Sequence, residues 1–182
     1  MPAATQDIPE TLIRDNITRA VCDVFKTMLH RGVQLREVCV SGNPEECPPG
    51  LRDEVLAAEP QVVGTVGFLG DVNGLIYLYF EGGFAKHCTC HLLGMEPAEV
   101  DDAGDEVIND AIGEITNMTV GSFKNGLSDR GYPCKLTIPS ILRGANFCIE
   151  PISDSQRFIY AFDCEGERLV ADILLKVGDL GD

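Results

Sequence analysis

Apolar residues recur at helical spacing along two long stretches of this chain and alternate with polar ones along several short stretches. Ile13, Ile17, Val21, Val24 and Met28 form one helical stripe, which predicts a first helix from about Ile8 to His30. Asp7 and Glu10 make a capping-box-like start, Pro9 is tolerated in the first turn, and Gly32 stands where a C-cap glycine belongs. A strand is expected over Val33 to Val40, then a loop in SGNPEECPPG and a short helix near Leu51 to Ala58. Val62 to Leu69 and Leu75 to Phe80 read as a hairpin around Asp71–Val72–Asn73–Gly74, because Asn–Gly favours a type I′ turn. Phe84 to Leu93 reads as a second helix stopped by Gly94. The longest helical pattern runs from about Asp102 to Lys124, between Asp101, Asp102 and Asp105 at its positive end and Asn125–Gly126 at its close.

Four further strands are expected: Cys134 to Ile138, Asn146 to Glu150, Phe158 to Cys164 and Arg168 to Lys176, separated by RGA, SDSQ and EGE. RLVADILLK also suits a helix by composition; the short turn after Cys164 favours a strand. The order helix, strands, helices, strands implies an α+β fold, with helices on one face of a largely antiparallel sheet. A single domain over residues 1–182 is expected, with an N-terminal tail of about residues 1–7.

Charge narrows the partners. The formal net charge is −15, from 29 acidic against 14 basic residues. Phosphate backbones and anionic membrane surfaces are repelled by such a chain, so neither nucleic acid nor membrane is expected as a partner. No apolar run approaches a membrane span. The start MPAATQDIPETL lacks the basic-then-apolar pattern of a secretory signal, so the expected location is the cytoplasm.

Of the eight cysteines, Cys22, Cys134, Cys148 and Cys164 fall in apolar segments and are expected to act as small core hydrophobes. Cys47, among Pro44, Pro48 and Pro49, is read as part of a plain connector in preference to a reactive thiol. HCTCH offers His87 and His91 at i, i+4, a spacing that can put two imidazoles on one metal. No second ligand pair with suitable spacing accompanies them. The preferred reading therefore buries Cys88, leaves the histidines on the surface and assigns no metal.

The third helix carries the chemistry. Val107, Ile108, Ala111, Ile112, Ile115 and Met118, with Ser122 among them, point one way. Asp110, Glu114, Asn117 and Gly121 fall within roughly 60° of one another on the other side. Glu114 and Asn117 are three apart, so one ligand can touch both. A carboxylate can pair with a lysine, and an amide can donate and accept at once. Gly113 and Gly121 lower the surface beside them, although glycine inside a helix costs about 1 kcal/mol relative to alanine. Glu106 and Asn109 repeat the spacing without this setting and are read as solvated helix surface.

Glu114–Ile115–Thr116–Asn117, with Asp110 four residues before the glutamate and Pro139 about twenty after the asparagine, resembles the signature of the CheC/CheX/FliY chemotaxis phosphatases. GEITNMTVGSFKNGL is similar to the CheX-type pattern, as are GLIYLYFEGGFAKHCTCHLLG before it and KLTIPSILRG after it. CheC-type chains carry two such motifs. The first helix here has none; its polar positions are Arg14, Asp15, Asn16, Thr18 and Arg19. The resemblance therefore implies the CheX type and its homodimer.

It also implies the substrate: a CheY-like response regulator phosphorylated on aspartate, which brings its own Mg²⁺ and lysine. No cofactor of this chain's own is implied. Asn117 would orient the hydrolytic water, Glu114 would pair with the receiver's lysine, and Asp110 would support Glu114 or the docking surface. The alternative from another class is a non-catalytic module that docks a receiver or flagellar-switch component through the same helix face.

Overall fold

The computed structural model describes residues 8–40, 47–51, 59–146, 149–150 and 155–178. The first apolar stripe folds as α1 (Glu10–Val24), which buries Ile13, Ile17, Val21 and Val24. It runs on through a π-helical turn, Phe25–Leu29, to His30, which takes the left-handed conformation at φ 54°. His30, and not Gly32, therefore caps the helix. Pro9 is the N-cap residue and no side chain caps that end. Asp7 and the rest of the expected tail lie outside the described residues.

Seven strands form one sheet: β1 (Gln34–Val40), β2 (Gln61–Gly70), β3 (Val72–Glu81), β4 (Cys134–Leu136), β5 (Ser140–Gly144), β6 (Gln156–Cys164) and β7 (Glu167–Val177). Their order is β1-β6-β7-β3-β2-β4, with β5 also on the outer side of β2. Every pairing is antiparallel. α2 (Gly82–Leu93), α3 (Pro97–Ala103) and α4 (Asp105–Ser128) are the further helices among the described residues. The α+β architecture expected from the sequence is present.

Alternation decides which side of the sheet carries the helices. Val62, Val66 and Phe68 of β2, Ile76, Leu78 and Phe80 of β3, Phe158, Tyr160 and Phe162 of β6, and Leu169, Ala171 and Ile173 of β7 join the buried residues of α1, α2 and α4 in one core. The in-between residues are not left to water. Cys39, Val63, Tyr79, Ile159, Ala161 and Val170 form a second apolar layer with Cys47 and Leu51. With both faces covered, the central strands need no polar alternation. RLVADILLK can therefore be a strand and still carry apolar residues on both faces, with Asp172 buried against Arg157. Cys39 and Cys47 are joined as a disulfide with Cα atoms 5.2 Å apart, so the proline-rich loop is tied to β1 and is no plain connector.

Several boundaries differ from expectation for identifiable reasons. The β2–β3 turn falls at Asp71, and Asn73–Gly74 lie inside β3, paired with Lys176 and Leu175. Asn73 is buried and works from within the strand. Its Nδ2 donates to the carbonyls of Gly70 (3.1 Å) and Gly178 (2.7 Å), while the Gly70 amide donates to its Oδ1. A Cβ at Gly74 would collide with the Leu174 carbonyl and the Phe68 ring, which explains the glycine. Positive φ at both central residues, the hallmark of a type I′ turn, occurs instead at Glu165 (54°) and Gly166 (92°) between β6 and β7.

The acidic link after Gly94 is itself helical: α3 opens with a capping box between Glu96 and Glu99 and Pro97 at its first turn. Gly104, at φ 81°, separates α3 from α4, so α4 begins at Asp105 and not Asp102. At its other end α4 runs through Asn125–Gly126 to Ser128. Gly126 is there because α1 crosses at that point: a Cβ would strike the Asn16 side chain.

No strand starts at Asn146, which has φ 58°. The edge strand is β5, which contains the RG of the predicted turn. The Leu51 to Ala58 helix falls mostly outside the described residues, as do Cys148 and residues 41–46 of the SGNPEECPPG loop. Cys88, Cys134 and Cys164 are buried, whereas Cys22 is only half-buried.

Candidate functional site

α4 lies on β2, flanked by α1 and α2. Its buried side is Ala111, Ile112, Ile115, Thr116, Thr119, Val120, Phe123, Gly126 and Leu127. Val107, Ile108, Met118 and Ser122, expected to face the sheet, are half-buried at its margin. Ser122 accepts a hydrogen bond from Arg19 Nη1 at 3.3 Å. Thr116 and Thr119 can be buried because each hydroxyl donates back to a carbonyl one turn earlier, Ile112 at 2.6 Å and Ile115 at 2.8 Å. Gly64 of β2 admits Thr116, since a Cβ there would overlap its hydroxyl. This close approach fixes the rotation of α4 on the sheet, and with it the direction of the opposite stripe.

That stripe is Asp110 and Glu114, both exposed, with Asn117, Gly113 and Gly121, all half-exposed. Neither Glu114 nor Asn117 has a hydrogen-bond or ion-pair partner among the described residues. Two glycine contacts explain why Asn117 is less open than Glu114. A Cβ at Gly121 would sit 4.0 Å from Leu136 Cδ1, and one at Gly113 would sit 3.9 Å from Ile141 Cδ1. β4 and β5 thus run alongside the stripe. The chain between them, which holds Pro139, passes the helix at the level of Asn117. The arrangement is a ridge and not a cleft: a free carboxylate and a free amide on a rigid helix, backed by a strand edge.

The second Glu-x-x-Asn copy is differently placed. Arg143 of β5 donates through Nε to Asn109 Oδ1 at 2.6 Å and pairs through Nη1 with Asp105 at 3.2 Å. Asn109 is therefore a strut between β5 and α4, where the sequence reading had solvated surface.

HCTCH lies on α2 and is not part of this stripe. His87 Nδ1 meets Glu167 Oε1 at 2.6 Å, and Arg31 Nη1 donates to Glu167 Oε2 at 2.7 Å. Burial works against the Glu167 carboxylate, but the hydrogen bonds from Arg31 and His87 outweigh it and leave its pKa below the ordinary value. These residues, with His91, Cys90 and Glu165, line a depression of about 920 Å³ between α2 and the β6–β7 turn. Cys88 is fully buried, and burial pushes its thiol pKa up. Among the described residues no cluster of three or more His, Cys, Asp or Glu can hold a metal ion. No helix among them is long and apolar enough to cross a membrane.

The family model for the chemotaxis phosphatase CheX matches residues 62–163, a segment that contains β2 from its second residue, β3, the whole of α4 and Pro139. The chain belongs to the CheX family. No curated protein matches it significantly. Among solved structures, a CheC-like superfamily protein from Shewanella sp. PV-4 is similar at 25% identity and TM-score 0.74, over 92% of this chain and 99% of the other. CheX from Desulfovibrio desulfuricans is similar at 23% identity and TM-score 0.70, over 90% and 99%. A chain of the CheX–CheY–BeF3–Mg²⁺ complex from Borrelia burgdorferi is similar at 20% identity and TM-score 0.65, over 90% and 97%. These likenesses agree with the CheX fold class seen in the sheet order and the placement of α4.

Proposed function

We propose that this CheX-family chain hydrolyses the aspartyl phosphate of a CheY-like response regulator, with Asn117 and Glu114 as the working residues. The observation that carries the reading is the pair itself. A carboxylate and an amide three residues apart project from one helix and engage nothing among the described residues. Unsatisfied polar groups held on a rigid element are preorganised for a ligand. The Borrelia CheX–CheY complex supports a receiver as that ligand.

The chemistry needs little from this protein. An acyl phosphate has a good leaving group. In the receiver pocket Mg²⁺ and a lysine neutralise the phosphoryl oxygens when bound. What remains is to hold a water in line with the bond to be broken. The Asn117 amide oxygen accepts a hydrogen bond from that water and aims its lone pair at phosphorus. A new phosphorus–oxygen bond forms, the bond to the aspartate oxygen breaks, and the products are a carboxylate and inorganic phosphate. Glu114 pairs with the receiver's lysine and sets the register. Asp110, one turn before it, supports the docking surface, and Gly113 and Gly121 keep the ridge low. Neither working residue has to titrate; positioning is the whole contribution. In this reading the protein acts in the cytoplasm as a homodimer.

Substoichiometric protein added to a CheY-type receiver, phosphorylated with acetyl phosphate and then freed of it, should release many equivalents of phosphate per equivalent of protein. Binding without release would instead identify a docking module. Glu114→Gln keeps the shape and removes the charge. Its KM for the phosphorylated receiver should rise about tenfold, the scale of one partly exposed charge pair. An unchanged KM would remove the lysine-pairing role.

A further inference from the structure

The strand edge beside α4 carries an apolar residue in an unusual position. Ile138 is 87% exposed, while the other exposed large apolar side chains among the described residues (Val40, Leu69, Leu75, Leu93 and Leu142) lie between 38% and 49%. The sequence pattern put Ile138 inside a strand, where alternation would have buried it or shared it with a neighbour. The register shows why it is not. Leu136 pairs with Phe68 and Ser140 pairs with Thr65. Between them the Thr137 amide donates to the Gly67 carbonyl at 2.8 Å, and the Gly67 amide donates to Thr137 Oγ1 at 2.8 Å. Ile138 and Pro139 are therefore both left opposite Val66, two residues against one. This is a bulge, the device by which a strand edge re-aims a side chain. Proline at the second position has no amide to offer β2, which keeps the edge open there.

The bulge also has a fixed place relative to the candidate site. Leu136 lies against Gly121 and Ile141 against Gly113, eight residues apart on α4. The residues midway between those contacts are Asn117 on the helix and Ile138–Pro139 on the edge. Interpolated between those two contacts, the exposed Ile138 falls at the level of the free amide along the helix.

From this we infer that Ile138 is a docking residue for the phosphorylated receiver, seated in an apolar recess beside the receiver's phosphorylation site. The inference rests on the phosphatase reading above and adds to it the source of affinity. A chain of net charge −15 and an acid-rich, phosphorylated pocket repel at long range. Affinity must then come from short-range contact, which apolar burial supplies and salt does not screen. The Glu114–lysine pair sets register, Asn117 acts on the water, and Ile138 holds the complex together. The same residue would help to select among receivers, because a receiver with a charged group at the recess would strand that group against an isoleucine.

The test uses the full chain and a receiver that the wild-type protein dephosphorylates. Ile138→Ser should raise KM about tenfold, the value of removing one buried aliphatic side chain from an interface. Its kcat should stay within about twofold, since no reacting atom is touched. Ile138→Leu should behave as wild type. Leu93→Ser, a similar change on α2 away from the stripe, should leave KM alone. In an Asn117→Ala background, where the complex does not turn over, Ile138→Ser should weaken direct binding of the phosphorylated receiver by the same factor. Two results overturn the inference alone: an unchanged KM in Ile138→Ser, or an equal rise in Leu93→Ser, each with wild-type turnover intact and Asn117→Ala inactive. Absence of turnover by the wild type overturns the phosphatase reading itself.

Discussion

Asn117→Ala should lose at least about a hundredfold in receiver dephosphorylation, equivalent to about 2.7 kcal/mol of barrier, while its thermal midpoint stays where it was. The two halves of this expectation have separate causes. The carboxamide has no partner among the described residues, so its removal breaks nothing in the fold, and a substitution at such a place changes stability by no more than about 0.5 kcal/mol. In the complex the same atom holds the attacking water, an interaction made fully only as the water approaches phosphorus. Loss of an interaction of that kind lowers kcat and leaves substrate affinity nearly unchanged. Single-turnover decay of the phosphorylated receiver, with the variant in excess, measures the step directly. Decay at the wild-type rate would remove Asn117 from the mechanism. A slower rate with an equal loss in binding would make it a docking residue instead.

The stripe that carries Asn117 was legible in the sequence because it depends only on helical period. Ala111, Ile112 and Ile115 announce a buried side, and Asp110, Glu114, Asn117 and Gly121 then lie opposite whatever the helix packs on. What period could not give was the exact rotation of α4, which buries Thr116 and Thr119 and leaves Met118 at the margin. That rotation is set by Gly64, a residue fifty positions away on β2.

The same distinction runs through the fold. The strands β6 and β7 were found from composition and a local turn, whereas the register of β4 and β5 was not. Their break is a slip against β2, visible only when Thr137 and Ser140 are paired with Gly67 and Thr65. Asn73–Gly74 misled for a related reason. Asn–Gly favours a turn locally, but here the amide of Asn73 stitches Gly70 to Gly178 across the sheet, and long-range hydrogen bonds outweigh turn preference. Glu106–Asn109 and Glu114–Asn117 are alike in spacing. Only the arrival of Arg143 at Asn109 separates strut from site.

Asp172→Ala should cost about 3–5 kcal/mol of stability, the largest loss expected from any single change discussed for this chain. Asp172 lies on β7 with no exposed side-chain surface, on the side of the sheet away from the helices, and Arg157 of β6 is 9% exposed. The pair is bidentate: Arg157 Nε donates to Oδ1 at 3.0 Å and Nη2 to Oδ2 at 2.7 Å. Nη1 of the same guanidinium donates to the Ile149 carbonyl at 3.2 Å. Removing the carboxylate takes two charge-assisted hydrogen bonds from a guanidinium held in an apolar layer. For a chain of this size, the predicted loss lowers the thermal midpoint by roughly 10 °C. Removing both charges has a different expected outcome. Arg157→Met with Asp172→Leu fills the same space with apolar groups and should recover most of the loss, because the desolvation of a buried pair offsets much of its attraction. Chemical denaturation of the two single variants and the double one measures the coupling. A double variant as unstable as the sum of the singles would mean that the two side chains act independently and that their pairing carries no coupling energy. Phosphate release per folded molecule should be unaltered throughout, since α4 stands on the other face of the sheet.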